Sequence, residues 1–253
     1  MRSPTRRNKS NPVKTSRAER EYAGALKKVA EQVGAVINGF PAGDPESAGP
    51  ISNILSRYAD AIDPWARRIA ARMLADVDLS DRKAWLGASE EISRILGQEI
   101  RHAPTGAAMQ DLLEEQVVLI KSIPRDAADR VHRLTLEGLE DSTRASTVAK
   151  EIQRSTEVSK SKATLIARTE VARSASVLTQ VRAESAGSTH YRWHTAGDSD
   201  VRHSHKALNG KIFAWTDPPL INEGSDDSPK WMRHHPGQVW NCRCWAEPIF
   251  PDD

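Results

Sequence analysis

The chain has only two cysteines among its 253 residues, and they lie two positions apart. That spacing excludes the disulfide framework of a small secreted domain. Aromatic residues make up 5% of the sequence and hydrophobic residues 38%, against 28% charged. Much of the chain must therefore be solvated surface, which favours an elongated helical protein over one compact globule. No stretch approaches the roughly 20 apolar residues that a membrane helix needs. No apolar run of about 7–15 residues follows the basic start, so no signal peptide is read, and the chain is expected to be soluble and cytoplasmic at synthesis. The Walker A loop, the glycine-rich dinucleotide motif, His-Glu-x-x-His and Gly-x-Ser-x-Gly are all missing. The length fits one or two domains and is enough to bury a real core.

What is present is unevenly spread. Net charge is only +2, yet residues 1–20 hold Arg2, Arg6, Arg7, Lys9, Lys14, Arg17 and Arg20 against the single acid Glu19. With two prolines and almost nothing apolar, this segment cannot bury enough surface to offset its ordering entropy and reads as a disordered arm. A second reading lets Arg2, Arg6, Arg7, Lys9 and Lys14 touch nucleic acid or an acidic partner, where basic side chains displace counterions from phosphates.

Residues 21–140 read as a helical domain. Tyr22, Leu26, Val29 and Val33 form one stripe of a helix from about Ser16 to Asn38, which Gly39-Phe40-Pro41 ends. Another helix lies near residues 50–61. Asp63-Pro64 is a start signal, with an N-cap acid before proline at the first helical position, and Trp65, Ile69, Met73 and Val77 follow at steps of four. Ser80-Asp81 is expected to cap a further helix with Trp85, Ala88, Ile92, Ile95, Leu96 and Ile100 on its apolar face. Met109, Leu113, Val117 and Ile120 mark the next, and Pro124 is expected to open another bearing Ala127, Val131 and Leu134.

Residues 141–253 read as a separate module. Ala145, Val148, Ala149 and Ile152 give an amphipathic set, and a long helix from about Lys160 stops at Gly187. After Gly187 the period changes. Five of the seven Trp, six of the eight His and both Cys lie between His190 and Asp253. Helix packing does not require that mixture. Short strands are expected at His190–Thr195, Lys211–Trp215 and Cys244–Ile249, so the fold class is α+β: a mainly helical N-terminal half and a small α+β module with long loops.

Several of these residues can carry chemistry. Arg168-Thr169-Glu170 with Arg173 reads alone as a solvated helix face, where the Glu170–Arg173 pair is worth only about 0.2–0.5 kcal/mol. Trp193 reads as core. Asp198, Asp200, Arg202 and His205 suit an ion-pair network, a metal site or a catalytic site. Asn209-Gly210 is a turn signal that makes Arg202–Leu208 and Lys211–Trp215 its two arms. His234-His235-Pro236-Gly237 reads as a surface turn. Cys242 and Cys244 admit a strained disulfide, two packed thiols, or zinc ligands together with His203, His205 or His235. His203-x-His205 on a strand would present both rings on one face.

The order Arg168-Thr169-Glu170, Trp193, Asp198, Arg202, His205, Gly210, Pro236, Cys242-Arg243-Cys244, Pro248 resembles the phage head morphogenesis family, whose members are similar to protein F of phage Mu. The resemblance covers about the last 100 residues and makes these its motif residues, with no catalytic role among them. It implies a minor capsid protein of a tailed phage or prophage that acts in prohead assembly at or near the portal, with a role in DNA retention or ejection. The implied partners are the portal protein, the inner capsid shell and packaged DNA, with no membrane. The implied location is the host cytoplasm during assembly and then the virion head. For the Arg-Thr-Glu stretch it implies a polar brace between helix and loops. The competing expectation is a metal-dependent nuclease or hydrolase using His205, Asp198, Asp200 and the cysteine pair, with zinc as the candidate cofactor.

Overall fold

The structure, a computed structural model, describes residues 10–42, 44–89, 103–140 and 145–250. Arg2, Arg6, Arg7, Lys9 and the stripe Ile92, Ile95, Leu96 and Ile100 lie outside the described residues, as does the side chain of Ala88. Lys14 is exposed and its ammonium donates to the Asn11 carbonyl at 2.7 Å. Helices span Ser16–Asn38, Ala48–Ala61, Asp63–Ser89, Thr105–Glu140, Ala145–Gln153 and Ser155–Ser185. Short strands β1 (His190–His194), β2 (Ile212–Ala214), β3 (Leu220–Asn222), β4 (Trp231–Arg233) and β5 (Trp245–Ile249) follow, so the α+β class holds. No helix among the described residues is long and apolar enough to cross a membrane.

The chain forms two compact units, one of residues 17–74 and 111–168, the other of residues 1–16, 75–110 and 169–253. Neither is a continuous stretch. The cause is helix length. Asp63–Ser89, Thr105–Glu140 and Ser155–Ser185 each give residues to both units.

In the first unit, Ser16–Asn38 buries Tyr22, Leu26, Val29, Ala30, Val33 and Ile37, the set that a 3.6-residue period places on one stripe. Val33 and Ile37 pack with Ala48, Ile51, Leu55, Ala127, Ala128 and Val131. Before the second helix, the Asp44 carboxylate accepts from the Glu46 N–H at 3.1 Å and from the Ser47 hydroxyl at 2.7 Å. Two expected boundaries are absent. Pro124 opens no new helix but lies inside Thr105–Glu140. An interior proline costs about 3 kcal/mol, and burial of Ile120, Ile123, Ala127 and Ala128 on both sides of it offsets that loss. Ser80-Asp81 is no cap either, because Asp63–Ser89 runs through it. The Ser80 hydroxyl bonds back to the Asp76 carbonyl at 2.9 Å, and Asp81 is fully buried.

In the second unit the sheet order is β2-β1-β5, all antiparallel, with Trp193 opposite Ala246 and Tyr191 opposite Phe213 and Pro248. Pro248 lacks an N–H and sits on an edge strand, where that is tolerated. A second sheet pairs β3 with β4. The core joins Trp85, Ala183, Tyr191, Trp193, Trp215, Ile221, Cys242, Cys244 and Ala246. Ser155–Ser185 ends as expected. Gly187 takes a φ of 85° and the Ser188 N–H returns to the Ala183 carbonyl at 2.9 Å.

Candidate functional site

The site is built around His205. The residues before it form no strand: His203–Lys206 is one helical turn. Positions i and i+2 on a helix diverge, so His205 is buried while His203 is exposed. The turn arms differ in the same way. Gly210 takes a φ of 84° and its N–H bonds to the Trp193 carbonyl at 2.8 Å, but the chain entering the turn is helical. The Asn209 side chain instead accepts from the Thr195 N–H at 3.0 Å.

Three groups surround the His205 ring. Nε2 lies 2.6 Å from Glu223 Oε1. Nδ1 lies 3.6 Å from Cys242 Sγ and 3.5 Å from Cys244 Sγ. An ionised carboxylate only accepts, so Nε2 carries a proton, and Nδ1 faces both sulfurs. The same Glu223 oxygen takes His234 Nε2 at 2.8 Å, and Oε2 is 3.4 Å from Arg202 Nε. Burial pulls His205 down, but Cys242 and Glu223 outweigh it and hold the imidazole above its ordinary pKa. Burial pushes Glu223 up, but hydrogen bonds from His205 and His234 leave its carboxyl below the usual range. Cys242 is lowered by its hydrogen bond to Cys244, against burial and with help from His205, while Cys244 is raised by the same pairing and by burial.

The loops carrying these groups are pinned by backbone contacts. The Glu223 N–H bonds to the Lys230 carbonyl at 2.8 Å, and Asn222 Oδ1 accepts from the N–H groups of Gly224 and Lys230 at 3.0 and 2.8 Å. A Cβ on Gly224 would lie 2.1 Å from the Ser228 carbonyl oxygen, so only glycine fits this crossing. Asn241 takes a φ of 58° just before the cysteines. Its N–H bonds to Thr169 Oγ1 at 3.1 Å. The Ser176 hydroxyl donates to the Pro236 carbonyl at 2.8 Å. Thr169 and Glu170 are buried and Arg173 half-buried, so this helix face is not the solvated one that its charges suggest. Glu170 pairs with Arg173 at 3.1 Å. Arg168, one residue earlier, is half-buried.

The expected surface turn at His234–Gly237 is also buried. His235 Nδ1 meets the Tyr191 hydroxyl at 3.1 Å, and burial, aided by the His234 charge, lowers its pKa to about 4. Imidazoles with such partners can be buried at little cost. His235 and His203 are therefore not gathered with the thiols, whereas His205, Cys242 and Cys244 are. Among the described residues two groups could hold a metal, His205-Cys242-Cys244 and His205-Glu223-His234. Neither includes Asp198 or Asp200. Asp198 forms a two-pronged pair with Arg243 at 2.8 and 2.5 Å, and Asp200 lies 3.5 Å from the same guanidinium, all at the surface.

Residues 129–247 match the family described as phage Mu protein F like protein. This stretch resembles that family. The match starts inside Thr105–Glu140, earlier than the motif residues themselves. The chain is also 28% identical over 137 residues to a Haemophilus influenzae protein described as "Uncharacterized protein", a match that takes in 54% of this chain and 28% of that one. No solved structure matches the chain. Within the module of residues 169–253, Thr169 holds the turn before the cysteines, Trp193 fills the core, and Arg202 flanks Glu223. Glu223 and His234, which the sequence reading missed, complete the module's buried polar centre.

A second buried network lies in the same unit. Arg182, 1% exposed, pairs with both Asp78 and Asp81, and the Thr179 hydroxyl donates to Asp81 at 2.6 Å. Burial pushes the Asp81 carboxyl above its ordinary value, opposed by Thr179 and Arg182.

Proposed function

We propose that this chain is a minor capsid and head morphogenesis protein of a tailed phage or prophage. It acts in prohead assembly at or near the portal and takes part in DNA retention or ejection. The observation that carries this reading is the Mu F-like match over residues 129–247. Its role is structural rather than enzymatic, and its partners are the portal protein, the inner shell and packaged DNA. It is made in the host cytoplasm and ends in the virion head.

The buried polar centre supports the structural reading. Thr169, Arg202, His205 and Glu223 satisfy one another and the backbone, which is how a small loop-rich module acquires one fixed shape. The acids that a hydrolase would need beside His205, Asp198 and Asp200, pair with Arg243.

Co-purification with the portal protein encoded beside it tests the role. Stable association at low and moderate salt is the expected result. Absence of the chain from purified heads, with normal particles formed without it, would overturn the proposal. The basic arm supplies a DNA contact, so DNA binding should weaken steeply with salt and vanish when residues 1–20 are removed. Binding that survives this truncation would exclude the arm as the contact.

A further inference from the structure

We propose that His205 Nδ1, Cys242 Sγ and Cys244 Sγ bind one zinc ion, with Glu223 fixing the His205 ring from its far side. The three donors are buried and lie within 4.8 Å of one another. They come from two separate segments, the turn at 203–206 and the coil before β5.

The distances favour an ion over a hydrogen bond. A tetrahedral zinc with Zn–S about 2.3 Å and Zn–N about 2.0–2.1 Å separates its nitrogen and sulfur ligands by roughly 3.5–3.6 Å. The two separations here are 3.6 and 3.5 Å. Nδ1 can share one hydrogen bond well with a sulfur, not two at equal distance. Near-equal spacing is what a central ion imposes.

The His205-Glu223-His234 group shares the ring but has the opposite geometry. Its contacts of 2.6 and 2.8 Å are direct hydrogen bonds, too close for an ion to stand between the donors. Glu223 thus plays the part of an outer carboxylate. It accepts the hydrogen bond from Nε2–H, fixes the tautomer and leaves Nδ1 as the ligand.

The donor set suits the metal. Thiolate and imidazole select zinc over magnesium or calcium, which prefer carboxylate and carbonyl oxygen. The Gly237 N–H lies 3.4 Å from Cys242 Sγ and favours its thiolate form. Trp193 Nε1 is buried without a hydrogen-bond partner. Three protein donors leave the fourth vertex to a solvent oxygen. An ion here ties the turn at 203–206 to the coil before β5, in a module whose aliphatic core is small.

The test uses the full chain, made without a histidine tag and purified under reducing conditions. One zinc per chain by elemental analysis is expected. Cobalt should replace it and give the intense tetrahedral bands and thiolate charge-transfer absorption of a two-sulfur site. Cys242→Ser and Cys244→Ser should each remove that charge-transfer intensity in part. Glu223→Gln, in a positioning residue, should weaken zinc by about 10–100-fold while leaving the cobalt spectrum tetrahedral. His203→Gln should change nothing. The unmutated chain decides the matter whether or not the variants fold. If it takes up neither zinc nor cobalt while both thiols titrate freely in the native state, the proposal fails. It fails equally if cobalt binds with no thiolate charge transfer.

Discussion

In the unit of residues 17–74 and 111–168, the deepest side chains are Leu26, Leu55, Leu74, Ile120, Ile123 and Ile166, and most charges stay outside. Arg67 reaches Glu114 at 2.6 Å with both side chains about half exposed, and Arg125 reaches Asp60 at 2.9 Å. In the unit carrying residues 169–253, the deepest side chains include Arg182, His205 and Asp81 beside Trp193 and Tyr191. The first relies on apolar burial, which is forgiving of detail and tolerates exchange of like-sized residues. The second relies on polar groups that must each find a partner. Its single shape is more narrowly specified and more easily lost.

The sharpest way to break this contrast is Arg182→Met. It leaves Asp81 without its counter-charge and Asp78 with Arg82 alone, and removing one partner of a buried pair costs about 3–5 kcal/mol. Six of the seven tryptophans lie in the same unit, so fluorescence-detected urea unfolding reads it directly. A loss under about 1 kcal/mol would mean that the carboxylates find water, and the contrast would collapse.

Leu55→Ala is the counterpart in the aliphatic unit. The side chain is fully buried, so truncation should cost about 2–5 kcal/mol by lost transfer energy and an unfilled cavity. Circular dichroism at 222 nm against urea measures it. No change in midpoint would show that this core collapses around the gap.

Acid should separate the units next. His235 ordinarily titrates near 6.5, and burial lowers it to about 4 in the fold. The unfolded chain therefore binds the proton first as pH falls. The contribution of His235 is complete above about pH 6.5 and is lost as pH drops toward 4, up to about 3 kcal/mol in all. Urea midpoints measured across that window should fall for the parent chain and fall less for His235→Gln. Equal slopes would place the acid sensitivity elsewhere. The smallest effect is expected from Arg67→Ala, whose ion pairs are exposed. Its urea midpoint should match the parent's, and a resolvable shift would give surface charge a weight the comparison denies it.

How far the sequence revealed these features depends on the range of the interaction. Helix stripes were legible because periodicity is local, as were the stop at Gly187 and the strands at His190, Ile212 and Trp245. The continuation of helix through Ser80-Asp81 and Pro124 was not. Both are local start signals overruled by burial against distant residues. Trp193, His205 and the cysteine pair stood out by residue type. Glu223 did not, since one acid between Asn222 and Gly224 looks like any loop, and only the fold brings two imidazoles to it. Asp81 had the same problem, for its partner lies 101 residues away.

That separation has a consequence during synthesis. Asp78 and Asp81 emerge from the ribosome long before Arg182, and at about 5–20 residues per second the wait is roughly 5–20 s. Arg82 follows at once and pairs with Asp78, but until Arg182 arrives Asp81 must stay hydrated. The nascent helix is thus held open by that one acid, and closing this unit is timed to the arrival of one guanidinium.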